Sequence, residues 1–269
     1  MAKSIMADEI TSDQPPNTDS YWSQSQAPLQ ALLFLLPLVL FYEFGAAALT
    51  SESVRQLLGM QPFGELSDHL KARQHVLIFF RLFGVSGPYL PGLAVAAVLL
   101  GWHMAQRDKW RVYPRLCGWM WLEAMTLTMP LFIFALILAR QSAMTASNNG
   151  ATQLYSLDNI VLSVGAGIYE EMVFRLIGIA LLHWLLVDRV GMAPPWGAAI
   201  TIAITSIAFS FYHFWPGKPV QTGLFMFYTI AGVYFASVYL LRGFGIVVAV
   251  HALYDIFVVV LNLQHRYGE

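Results

Sequence analysis

Charge is what this chain has least of. Lys and Arg number 15 and Asp and Glu 16 in 269 residues, so 12% of the chain is charged while 57% is hydrophobic. A soluble globular domain carries about 25% charged residues, and a disordered chain is poor in apolar ones, so the composition excludes both. Basic residues are not in excess either: the formal net charge is −1, and without a basic face no nucleic-acid partner is expected. Cysteine is nearly absent. Cys117 alone cannot close an internal disulfide, which excludes an extracellular stapled framework; between Leu116 and Gly118 it reads as a small buried hydrophobe. Residues 1–27 lack the apolar stretch of a cleavable leader. There Lys3 stands against Asp8, Glu9, Asp13 and Asp19, with Pro15 and Pro16, which is the composition of a disordered arm.

What the chain has in abundance is long hydrophobic runs. A bilayer core takes about 20 mostly apolar residues per helix. Runs of that kind fall at about 29–49, 87–106, 116–139, 159–187, 196–214, 221–241 and 244–262, and a shorter one at 75–85 carries Arg81. The expected fold class is therefore all-α, a polytopic transmembrane bundle of about seven or eight helices around a polar internal cavity. No internal repeat stands out. The longest segment between runs, residues 50–74, is short, so any chemistry has to be built from the helices.

Orientation follows from the basic residues of short loops. Residues 107–115 hold Arg107, Lys109, Arg111 and Arg115 against the single Asp108. Placing this loop in the cytoplasm puts the N-terminal arm there too, the 140–158 loop outside, and Arg189 and Arg242 on the cytoplasmic side. Trp102, Trp110, Trp119 and Trp121 flank the same loop as an interfacial belt. The expected location is the plasma (cytoplasmic) membrane.

An ionisable residue inside an apolar span costs several kcal/mol by insertion scales, about 2.5–3.5 at the helix centre, and normally faces the bundle interior. The densest case is GAGIYEEMVFRLIG, which holds Glu170, Glu171 and Arg175. Glu171 and Arg175 lie four apart in the favoured order for a helical ion pair. Glu170 points about 100° away, which leaves its carboxylate free to face a cavity. Gly165, Ala166 and Gly167 are small enough to admit a neighbouring helix closely. Two later spans carry histidines: His213, with Phe209 one turn before it, and His251, with Asp255 four residues on, where an acid can fix the imidazole tautomer.

Three helices thus present carboxylates and imidazoles within apolar sequence. A carboxylate beside an imidazole can take a proton from water, and a second imidazole can donate to an oxyanion. Alternatively, Glu170, His213 and His251 supply three ligands to a catalytic Zn2+ with an open fourth position. Both routes end in hydrolysis. Ser163, Ser210 and Cys117 have no base in a recognisable pattern, which disfavours a side-chain nucleophile. Glu43 and Glu123 also fall in apolar runs without a role fixed by sequence; His75, His103 and His265 lie near span ends and read as surface residues; His183 has no assigned role.

At these residues the chain resembles the CPBP family, which contains the type II CAAX prenyl endopeptidases and related bacterial intramembrane proteases. Three motifs match in order over about residues 160–260: Glu-Glu-x-x-x-Arg at Glu170, Glu171 and Arg175; Phe-x-x-x-His at Phe209 and His213; and His-x-x-x-Asn/Asp at His251 and Asp255. The resemblance implies an intramembrane endopeptidase in which Glu170 with His213 activates water. His251, with the residue at 255, would stabilise the oxyanion, and Glu171, Arg175 and Phe209 would shape the site. Prenyl-processing members carry Asn at the last position, whereas this chain has Asp255, and an ionised Asp cannot donate to an oxyanion.

The resulting division is a disordered cytoplasmic arm at 1–27, N-terminal membrane helices and loops at 28–158, and a catalytic CPBP-like core at 159–262. Expected partners are a peptide or membrane-protein substrate and the lipid bilayer. Two other classes compete: a non-catalytic membrane scaffold or binding protein of the same helices, and a proton-coupled transporter using the Glu–His set as a relay. The absence of matching halves with interrupted helices counts against the transporter.

Overall fold

A computed structural model describes residues 20–51, 53, 56, 90–107, 109–143, 157–214 and 219–261. Among them every regular element is a helix. A short α1 (Tyr21–Ser25) precedes α2 (Pro28–Thr50), α3 (Leu90–Gln106) and α4 (Pro114–Ala143). α5 is one continuous helical run over 157–189, followed by α6 (Pro194–His213), α7 (Thr222–Arg242) and α8 (Phe244–Val260). Pro28, Pro114 and Pro194 open their helices, where a missing N–H costs nothing and the fixed φ is already helical. Among the described residues, four stretches are long and apolar enough to cross a membrane: Pro28–Ala48, Pro114–Leu138, Pro194–His213 and Thr222–Arg242. Gly92–Gln106 and Phe244–Val260 are apolar but shorter. The 75–85 run, most of the 50–74 segment, residues 144–156 of the 140–158 loop, His75 and His265 lie outside the described residues.

α8 is the centre. It packs against α5, α4, α7 and α2, and residues 244–252 are buried without a break, as expected of a helix apolar on all sides. Its sequence, FGIVVAVHALY, is rich in small and β-branched residues, and its neighbours approach closely because they too give up side chains there. A Cβ on Gly167 of α5 would lie 2.8 Å from the Ala252 amide nitrogen, and one on Gly165 would lie 2.3 Å from the Tyr42 ring of α2. α6 and α7 meet in the same way, where a Cβ on Gly232 would lie 2.9 Å from Ser206 Cα. The stripe of small residues before Glu170 therefore does what its composition implies.

The disordered arm expected through residue 27 is corrected over its last residues, where α1 is a fixed helical turn; residues 1–19 lie outside the described residues. Ser20 caps α1 by accepting from the Ser23 amide. The Tyr21 hydroxyl donates to Glu123 Oε2 at 2.5 Å. Glu123 in turn takes both Nε and Nη2 of Arg242. Arg242 Nη2 also donates to Ser25 Oγ at 3.0 Å, and its guanidinium lies 3.9 Å from the Trp22 ring centroid. Burial, reinforced by the Glu123 carboxylate, pushes the Tyr21 phenol up, so it remains a donor at any physiological pH. Arg242 is thus a buried tie between α1, α4 and α7, and it gives Glu123 its role.

Two glycine substitutions of opposite sign test these crossings. Gly167→Ala should lower the thermal unfolding midpoint in detergent, since overpacking of about 1–3 kcal/mol outweighs what Ala gains in a helix interior. Gly101→Ala, with nothing within 4 Å of the added carbon, should raise it by the helix-propensity gain of about 1 kcal/mol. Equal shifts would contradict the packing.

Candidate active site

The site is assembled on α5 and completed by α6, α7 and α8. α5 is α-helical through Glu171 and widens into a π-helix over Met172–Ile179, returns to α over Ala180–His183, and widens again over Trp184–Arg189. Such widened turns are rare and often fall at functional sites. Here the change comes directly after the two glutamates and contains Arg175, so the helix alters its winding inside the cluster of charges.

Glu171 is fully buried and is the hub. Its Oε1 lies 3.1 Å from Arg175 Nη1, as the four-residue spacing implies, and accepts from His251 Nδ1 at 2.7 Å. Arg175, itself 1% exposed, donates from Nη2 to the Gly232 carbonyl of α7 at 3.3 Å and lies 4.4 Å above the Phe209 ring centroid. One carboxylate therefore ties α5 to α8 directly, and through Arg175 to α6 and α7.

Glu170 points the other way. Its Oε2 is buried without a hydrogen-bond partner among the described residues, and it faces two imidazoles, with His213 Nε2 at 3.9 Å and His251 Nε2 at 4.0 Å. Both gaps are too long for a hydrogen bond. His213 Nδ1 lies 2.8 Å from the Phe209 carbonyl. A carbonyl only accepts, so Nδ1 carries the proton and, in the neutral ring, Nε2 presents a lone pair toward Glu170. His251 is bracketed, with Glu171 at Nδ1 and Asp255 Oδ2 3.5 Å from Nε2. Side-chain exposure is 23% for His213 and 27% for Asp255, against 4% for His251, so the cluster is open on the side of His213 and Asp255.

His213 is the last residue of α6 whereas Glu170 lies inside α5, yet the fold brings them within 3.9 Å of each other. Tyr228 of α7 stacks on the His213 ring at 3.9 Å and 19°. Ser210 Oγ also donates to the Phe225 carbonyl at 2.7 Å, tying the two helices together.

Every residue singled out in the three motifs is thus brought into one cluster: Glu170, Glu171, Arg175, Phe209, His213, His251 and Asp255. Sequence reasoning missed the rings that hold the imidazoles. Phe235 lies flat on His251, with centroids 4.5 Å apart and planes 17° apart. It is seven residues after Tyr228, two turns along the same face of α7, and that spacing was the available signal. Glu43 is placed as well: it accepts from the Tyr169 hydroxyl at 2.7 Å and from the Gly92 amide at 3.0 Å, tying α2 and α3 to the residue next to Glu170. His103, read as a surface residue, is instead 1% exposed beneath Trp110. No group of three or more His, Cys, Asp or Glu side chains among the described residues has the arrangement to hold a metal ion.

Removing one partner of the buried ion pair leaves the other charge uncompensated, which costs about 3–5 kcal/mol. Arg175→Met should therefore unfold far earlier than wild type in a detergent melt, and the double variant Glu171→Gln/Arg175→Met should recover part of that loss. A double variant no better than the single would contradict the pairing.

Residues 152–257 match the family model described as Rce1-like, the type II CAAX prenyl endopeptidase Rce1-like family, which is a family of proteases. No curated protein and no solved structure matches the chain. The matched segment contains every member of the cluster, and with the apolar helices it fits a multi-pass membrane protein. The likeness to the CPBP proteases that the three motifs carry is therefore shown over residues 152–257, the part of the chain that builds this site.

Proposed function

We propose that the protein is an intramembrane endopeptidase that hydrolyses a peptide bond with water activated at Glu170 and His213. The observation that carries this is the orphaned Glu170 Oε2, buried and equidistant from two imidazole nitrogens. A water hydrogen-bonded to both Glu170 and His213 sits about 2.8 Å from each, which closes a gap of this size. Glu170 takes the proton as the water attacks the carbonyl carbon. The proton then passes to the leaving amine, so the carboxylate is restored in each turnover. As the imidazolium, with Nδ1 donating to Glu171 and the ring held by Phe235, His251 is the donor from Nε2 to the tetrahedral oxyanion. Asp255 at this nitrogen acts through His251 and not on the substrate, because a carboxylate has no proton to give an oxyanion.

The same reading places the polar cluster in a cavity between α5, α6, α7 and α8. The chain crosses the plasma membrane about seven or eight times, with the N-terminal arm and the 107–115 loop in the cytoplasm. The substrate is a peptide or membrane-protein segment.

Purified protein in lipid nanodiscs, offered a membrane-peptide mixture, should release fragments whose ends are absent with Glu170→Gln. The expected loss of rate is about 10²–10⁴-fold for Glu170→Gln and about 10²–10³-fold for His251→Ala, with unchanged elution from a sizing column. Undiminished cleavage by Glu170→Gln overturns the mechanism, and no cleavage by the wild type leaves the scaffold reading. Dialysis against a chelator should leave the rate intact; a loss restored by zinc would establish the metal route instead.

A further inference from the structure

The basic loop between α3 and α4 plays no part in the site, yet it is built rather than loose. Its backbone is clamped at Tyr113, whose amide donates to Gln30 Oε1 at 2.8 Å while Gln30 Nε2 donates to the Tyr113 carbonyl at 3.1 Å. Gln30 is 1% exposed, so a buried side-chain amide reads the loop as one strand reads another. At the other end, Arg107 closes α3 with φ 54, a left-handed conformation that favours Gly or Asn and costs an Arg about 1–2 kcal/mol. Between these fixed points Lys109 and Arg111 are exposed, as are Arg107 and Arg115 at either end.

The cations are interleaved with exposed apolar surface. Trp110 is 68% exposed, and Trp119, one turn into α4 beyond Arg115, is 63% exposed. Beneath Trp110 lies His103, buried at 1% and edge-on to the indole at 4.6 Å, with neither ring nitrogen hydrogen-bonded among the described residues. A buried polar group without a partner is costly. Guanidinium and ammonium groups beside indoles, at the ends of apolar helices and above an unsatisfied imidazole, match a molecule with a phosphate at one level and acyl chains just below it.

We propose that Arg107 and residues 109–115, with Trp119 and with Trp110 seated on His103, form a docking surface for anionic phospholipid headgroups of the adjoining leaflet. The phosphodiester lies against Arg107, Lys109, Arg111 and Arg115, the glycerol backbone lies at the level of Trp110 and His103, and the acyl chains run down the exposed faces of α3 and α4. The clamp at Gln30 presents the cations already ordered, so little conformational freedom is lost on binding. A soluble phosphate lacks the apolar half of this match. The acidic residues Asp8, Glu9, Asp13 and Asp19 of the same chain lack it too, although they could meet the charges.

The test is lipid retention by the full-length protein. Protein in neutral detergent is incubated with equal amounts of phosphatidylglycerol and phosphatidylcholine of the same acyl chains, and the bound lipid is counted by native mass spectrometry. Wild type should retain the anionic lipid at least about ten-fold over the zwitterionic one, given a surface contribution of about five-fold per basic residue. Preference should fall several-fold in 0.5 M NaCl, at a Debye length of about 4 Å. R107Q/K109Q/R111Q/R115Q should abolish the preference, and Trp110→Ala should weaken retention of both lipids. If the quadruple variant does not fold, the salt series and Trp110→Ala carry the test. Equal retention by wild type, a preference indifferent to salt, or full competition by millimolar inorganic phosphate would overturn the proposal. The readout does not involve proteolysis, so it stands or falls apart from the reading of the active site.

Discussion

The structure turns on one fully buried carboxylate. Glu171 holds Arg175 on its own helix and His251 on the central helix through the same oxygen. Two charged groups out of water gain from each other only when geometry is good and the remaining donors are satisfied. Arg175 adds a hydrogen bond to the Gly232 carbonyl and the face of Phe209, and in doing so fastens α6 and α7. The orientation of His251, the position of Phe209 and hence the place of His213 all follow from this pair. The arrangement gives the two adjacent glutamates different roles: Glu171 is spent on structure through Oε1, which leaves Glu170 as the carboxylate whose buried Oε2 faces two imidazole nitrogens.

Packing makes that possible. A cluster of polar groups in an apolar bundle is tolerable only if water cannot reach it freely and the helices approach closely enough for direct contact. Gly165, Gly167 and Gly232 remove the side chains that would hold α2, α5, α6, α7 and α8 apart. The aromatic rings of α7 complete the wall, with Tyr228 flat on one imidazole and Phe235 flat on the other. Each histidine is therefore fixed by a hydrogen bond in its plane and a ring on its face, which leaves little freedom except at the nitrogens that face Glu170. The second polar tie, Arg242 with Glu123 and Tyr21, fixes the far end of α7 and the start of α8.

Much of this could be read from residue order alone. The apolar runs located the long helices to within a few residues, because the need for about 20 apolar residues per crossing is a constraint on composition. The pairing of Glu171 with Arg175 follows from helical spacing, and the closeness of α5 to a neighbour follows from Gly165 and Gly167. The three motifs named the site residues because ionisable groups are rare in such a chain and stand out against it. Three features escaped. The order of α1 depends on partners about 100 and 220 residues away, Glu123 and Arg242. The burial of His103 depends on Trp110 folding back over it. The widening of α5 after Glu171 has no signature in the periodicity, since it answers to contacts made with other helices.

The sequence by itself determined the class of the protein, its helices and the identities of the residues that bear charge within them, because hydropathy and spacing are local properties. Helical spacing already paired Glu171 with Arg175, but only the tertiary structure decided what else each glutamate meets: His251 of α8 closes on Glu171 through Nδ1, while Glu170 Oε2 faces the Nε2 atoms of His213 and His251. It also decided that His213, at the end of a helix, stands level with Glu170 in the middle of another. The depth of a residue in a bundle is set by where its helix starts relative to its neighbours, and only packing fixes that.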